Sequence, residues 1–159
     1  PDNSDGCGRL PGIPWTWNHI SSLNSPHFHP SFERKTFMPY SIQTNDSNIT
    51  TVIFTGSVNL SERIMAVDEV CSLVESSVPV RLLIDVRNII MNMSTDEQVY
   101  FGKYIASREQ FAEAKVAVVH SPENSPNILI TTTAYLEGYH VVEFDDLDDA
   151  VLWLIESIR

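Results

Sequence analysis

Asp85, Arg87, Ser94, Thr95, His120 and Ser121 are the side chains whose types and positions suit the handling of a charged or polar ligand. Asp85 and Arg87 lie at the end of the apolar run VRLLIDV (80–86), and His120 and Ser121 close the run KVAVVHS (115–121). If both runs are parallel strands, these residues fall at their carboxyl ends, where α/β sheets collect their ligands. A crevice lined by Asp85, Arg87, Ser94 and His120 suits a small anion, with Arg87 as a bidentate donor and Ser94 offering a hydroxyl at a helix start. The competing structural role, Asp85 and Arg87 pairing with each other or capping nearby backbone, is the expected one.

Ser94-Thr95-Asp96-Glu97 fits the Ser-x-x-Glu capping box, in which the serine hydroxyl and the glutamate each satisfy a backbone N–H of the first helical turn. Ser94 is therefore expected to start a helix. A second constellation is apolar: Met91, Met93, Tyr100, Phe101 and Tyr104 are close in sequence and form a candidate pocket or partner surface, since Met adapts its shape to what it touches.

Catalytic constellations are not legible. No Gly-x-Ser-x-Gly elbow occurs, Cys71 falls on the apolar side of a helical pattern where a thiol is inert, and His120 and His140 are expected on opposite edges of the sheet. His19, His27 and His29 lie in a Pro-rich stretch without the carboxylate or Cys spacing of a metal site, and no glycine-rich phosphate loop stands between a strand and a helix. The expectation is no enzyme, no metal and no cofactor.

The elements that must position these residues follow from periodicity. SIQTNDSNITTVIFTGSV reads as two strands joined at Asn45-Asp46-Ser47-Asn48, a hairpin. After Ser61, Ile64, Val67, Val70, Cys71 and Val74 recur at helical spacing. The run 80–86 is a strand buried on both faces, joined by a short linker to a helix over 94–112 with Phe101, Tyr104, Ile105 and Phe111 on one side. KVAVVHS is the next strand, ILITTTAYLEG (128–138) a third helix ending at Gly138, and HVVEF (140–144) the last strand. The final helix buries Val151, Leu154, Ile155 and Ile158, and its acidic start at Asp145, Asp146, Asp148 and Asp149 suits the helix dipole. The order β-β-α-β-α-β-α-β-α predicts an α/β fold with a mixed, mostly parallel sheet and packed helices.

Residues 1–37 differ from the rest. They hold five of the nine prolines and two of the three tryptophans, Trp15 and Trp17, without a sustained period. Their charges balance, so the whole formal charge of −11 belongs to residues 38–159. This segment is expected to be a linker or upstream sequence, with Met38 as the natural first residue of a single domain spanning 38–159; an N-terminal arm docking its tryptophans is the alternative. The acidic balance disfavours nucleic acid and anionic membrane surfaces, and no apolar run has the roughly 18 residues of a membrane span. With only Cys7 and Cys71, no disulfide framework is readable, and a reducing cytoplasm fits.

The element order, with TVIFTGSVN before the first helix, RLLIDVRNI after it, AKVAVVH, and the closing VVEFDDLDDAVLWLIES, resembles the SpoIIAA-like (STAS/SEC14-type) domain family over residues 38–159. In the anti-sigma-factor antagonists of that family, an Asp-Ser-Ser-Gly motif carries a phosphorylated serine at a helix start. The matching place here reads Asn92-Met93-Ser94-Thr95-Asp96, without that motif. The resemblance implies a non-enzymatic regulatory or protein-interaction domain of a bacterial cytoplasm, with an unknown protein partner, a homodimer left open, and no cofactor. The alternative it allows is a carrier or sensor of a small apolar, lipid-like or anionic ligand.

Overall fold

The computed structural model describes residues 38–74 and 79–156. The expectations placed on residues 1–37, including His19, His27, His29, Trp15 and Trp17, lie outside the described residues. The chain runs β1 (Tyr40–Thr44), β2 (Ile49–Val58), α1 (Leu60–Leu73), β3 (Arg81–Met91), α2 (Thr95–Ala106), a 3-10 turn (Glu109–Phe111), β4 (Lys115–Val119), α3 (Ile128–Leu136), β5 (Val141–Phe144) and α4 (Leu147–Ile155). This is the α/β order expected from the periodicity. The five strands form one sheet in sequence order, with β1 antiparallel to β2 and every other pair parallel.

The hairpin turns where the Asn/Asp/Ser cluster directs it. Asn45 Oδ1 accepts from the N–H groups of Ser47 and Ile49, and Asn48 takes the left-handed conformation, φ 58°, that asparagine tolerates. Parallel partners share a sheet face, so alternation divides the core in two. Val52, Phe54, Leu82, Val116 and Val118 face α1, α2 and α3, while Leu83, Ala117 and Val119 face α4 through Ala150 and Leu154. Lys115, buried at the start of β4, donates to the carbonyls of Trp153 and Glu156 and so satisfies the C-terminal end of α4.

Four elements depart from the periodic reading. β3 does not end at 86 but continues to Met91, because Thr55–Val58 of β2 offer it a ladder partner; the supposed linker is largely strand. α2 stops at Ala106 rather than reaching 112, since the Ser107 hydroxyl donates to the Tyr104 carbonyl and competes with the next helical turn. α1 starts one turn-residue earlier, on an Asn59/Glu62 capping box, and its buried stripe is Arg63, Ala66 and Val70 instead of one built on Ile64 and Cys71. α4 buries Ala150 and Leu154 but leaves Ile155 exposed, and Ile158 lies outside the described residues.

Candidate functional site

Asp85 and Arg87 sit at a β-bulge. The register passes from Ile53↔Asp85 to Thr55↔Asn88, so β3 places two residues, Val86 and Arg87, against one of β2. A bulge leaves an N–H without a ladder acceptor, and here the Asp85 carboxylate supplies one: Oδ1 accepts from Arg87 N at 3.1 Å and Nε at 3.0 Å, and Oδ2 from Nη2 at 2.6 Å. Burial alone would raise the Asp85 pKa, but the hydrogen bonds and charge of Arg87 hold it below the ordinary carboxylate range. Arg87 is held above its usual value by the same contact. The pair closes a distortion of the sheet, and both oxygens are engaged in doing so.

The other crevice residues do not converge on it. Asp85 is the register partner of Val119 and shares its sheet face; His120, one residue further, turns to the opposite face. There its Nε2 lies 3.7 Å from Glu143 Oε2, its Nδ1 lies 2.7 Å from the Ser121 carbonyl oxygen, and Ser125 Oγ donates to the same Glu143 oxygen at 2.5 Å. The Ser121 hydroxyl turns to the Asn124 carbonyl. Ser94 and Thr95 are more distant still. β3 runs on to Met91 beyond Asp85, about 20 Å at the usual strand rise, before the chain turns to Ser94. Ser94 caps α2, accepting from Glu97 N at 3.3 Å while its own N–H donates to Glu97 Oε2 at 2.7 Å, and that backbone contact holds the Glu97 pKa below the usual range. Thr95 is the first helical residue and is exposed.

A cavity of about 70 Å³ lies between the sheet and α1, α2 and α3. Its wall is apolar, represented by Val52 and Phe54 from β2, Val116 from β4, Val70 from α1 and Ile105 from α2. Of the five residues of the sequence-predicted apolar pocket, Phe101 lines this cavity. Met93 packs in the core against Phe101 and Ile130, Met91 is half-buried, Tyr104 donates from its hydroxyl to Asp68 at 2.9 Å, and Tyr100 is exposed. Met91, Met93, Phe101 and Tyr104 thus meet in one apolar cluster, with Tyr100 stacked on Tyr104 at 6.3 Å between ring centroids, and of these Phe101 alone reaches the cavity wall.

One end of the cavity is polar. Arg63, only 1% exposed, donates from Nη2 to Asn127 Oδ1 at 2.9 Å, and its guanidinium carbon stands 4.6 Å from the Phe54 ring centroid and 6.0 Å from that of Phe101. Burial pulls its pKa down to about 10, so it carries its charge at neutral pH. Among the described residues no carboxylate pairs with it, and Nε has no hydrogen-bond partner. Asn127 occupies the N-cap position of α3, yet its side chain caps no backbone N–H and is spent on Arg63. One turn on, Thr131 also lines the cavity, and its buried hydroxyl is likewise without a partner.

Sequence reasoning missed Arg63 because a charged residue in an amphipathic helix is assigned to the solvent side. The signal was nevertheless present: the residues three, four and seven places on are Ala66, Val67 and Val70, all on the apolar stripe. Asn127 falls between the strand 115–121 and the helix 128–138, where the periodicity assigns no element, and Thr131 is one of three consecutive threonines whose buried member the sequence does not single out.

Among the described residues no three His, Cys, Asp or Glu side chains are grouped to hold a metal ion, and no helix is long and apolar enough to cross a membrane. No family model matches the chain, and no curated protein matches it. Among solved structures, the chain is similar to an uncharacterized protein of the DUF3478 family from Shewanella loihica PV-4, described as having a SpoIIAA-like fold. The two share 18% identity over 72% of this chain and 91% of the other, with a TM-score of 0.49.

Proposed function

We propose that residues 38–159 form a non-enzymatic binding domain that holds a small, largely apolar ligand between its sheet and helices α1, α2 and α3, and so acts as a carrier or sensor. The cavity carries this reading. Protein interiors are packed to crystal density with few voids larger than a water molecule. At about 24 cal/mol per Å³, a void of this size would cost on the order of 2 kcal/mol if left unfilled, and a ligand of matching shape would offset that cost. The polar groups most suited to catalysis are committed elsewhere: the Ser125 hydroxyl donates to Glu143 and His120 Nδ1 faces a backbone carbonyl. A protein partner, the other reading the sequence opens, is supported by Ile128, Tyr135 and Leu136, left exposed on α3.

Native mass spectrometry of the protein from its source cell tests the ligand reading, alongside thermal unfolding with a panel of small apolar compounds. The expected result is a retained adduct, or an unfolding temperature raised by about 5–10 °C at a hundredfold excess over the dissociation constant. A protein that retains nothing and is stabilised by none of them overturns the proposal.

A further inference from the structure

Resting on the cavity reading, we infer that the ligand is a small monocarboxylate, an aliphatic or aromatic acid whose carboxylate is taken by Arg63, held in place by Asn127, and by Thr131, and whose body fills the apolar remainder. A guanidinium 1% exposed, with no carboxylate partner among the described residues, is a buried positive charge awaiting a negative one. Its face is satisfied by the Phe54 ring, but aromatic quadrupoles do not replace the hydrogen bonds that its N–H groups lost on leaving water.

The inventory of donors matches one carboxylate. Arg63 and Thr131 both line the cavity, and among the described residues the buried Arg63 Nε–H and the buried Thr131 hydroxyl have no hydrogen-bond partner. Asn127 fixes the guanidinium through Nη2, so the fork is oriented before the ligand arrives. Asn127 and Thr131 stand one turn apart at the N-terminal end of α3, where the helix dipole also favours negative charge. One buried cation calls for one negative charge, so a carboxylate balances it, whereas a phosphate dianion would leave an excess in apolar surroundings. The rest of the wall, Tyr139 apart, is apolar, with Val52, Val70, Ile105 and Val116 among its residues, and suits the body of such an acid.

The test is isothermal titration of the full chain with benzoate and hexanoate, against the neutral probes benzamide and 1-hexanol. Wild type is expected to bind at least one carboxylate at least about tenfold more tightly than its neutral counterpart, the scale of a hydrogen-bonded charge. Arg63→Met should abolish that preference, and Thr131→Val should reduce it several-fold, each read as the ratio of carboxylate to neutral affinity within the same variant. Neutral probes binding wild type as tightly as the carboxylates would overturn the inference and leave the cavity reading standing. No binding by any of the four overturns the inference, and the cavity reading falls with it only if the broader apolar panel also fails. The comparison within wild type keeps the test decisive should either variant misfold.

Discussion

Asp85 grips its neighbour Arg87 twice, accepting from the backbone N–H at 3.1 Å and from the guanidinium at 2.6 and 3.0 Å. Because the contact depresses the Asp85 pKa, its stabilisation is fully present above the ordinary value of 3.8 and is lost as pH falls through the lower folded-state value. Asp85→Asn retains an acceptor for the bulge N–H but loses the ion pair. With Arg87 partly exposed, the expected cost is about 1 kcal/mol at pH 7. Urea unfolding of both proteins should show this difference at neutral pH and its decline below pH 3.8. A difference that persisted unchanged into strong acid would mean that the carboxylate's charge is not what holds the bulge.

For Arg63, opposing terms nearly cancel. Desolvating the guanidinium costs several kcal/mol, while its ring contacts return up to about 2 kcal/mol and its hydrogen bond to Asn127 about 1.5–3 kcal/mol. Arg63→Met, similar in length and uncharged, is expected to unfold within about 1 kcal/mol of wild type by the same balance. Arg63→Ala enlarges the void and should cost about 2–4 kcal/mol. Denaturant midpoints at constant slope measure both. A loss for Arg63→Met as large as that for Arg63→Ala would make the charge a structural requirement.

Gly102 sets how closely α2 approaches α3. A Cβ at this position would stand 2.7 Å from Thr133 Cβ and 2.8 Å from the Ile130 carbonyl oxygen, contacts that one of the helices must move to relieve. Gly102→Ala gains about 1 kcal/mol of helix propensity. Overpacking against backbone costs about 1–3 kcal/mol, so a net loss of about 1 kcal/mol is expected. Ile130 lines the cavity one residue before Thr131, so the same variant should also weaken ligand binding. Thermal unfolding and titration read the two effects separately, and a stabilised variant would contradict the close approach.

The sheet was largely legible because strands buried on both faces, such as β4, read as unbroken apolar runs, and Gly138 at φ +90° marks the end of α3 as its position suggested. What escaped depends on partners distant in sequence. The extension of β3 past Arg87 is decided by β2, and no local pattern in Asn88–Met91 reveals it. Arg63 and Asn127 are separated by 64 positions and meet only once α1 and α3 lie on the same face of the sheet. The crevice expected around Asp85 failed to assemble for a related reason: one bulge and one residue of strand parity send Arg87 and His120 to different places.

Ser94 tests whether a capping box can be told from a switch. Its hydroxyl accepts from Glu97 N while Glu97 returns the bond to Ser94 N, so both side chains of the capping box have a structural use. Ser94→Ala removes one acceptor from the first turn of α2 and should cost about 1 kcal/mol, while Ser94→Asp, also a good cap and well placed against the helix dipole, should be nearly neutral. A phosphate here would gain from the dipole but would stand beside Asp96 and Glu97, whose like charges oppose it. Any ligand or partner affinity is therefore expected to follow stability in both variants. Denaturation and binding should be measured on the same preparations. A Ser94→Asp protein as stable as wild type that lost a partner retained by Ser94→Ala would identify Ser94 as a charge-operated switch and displace the capping account.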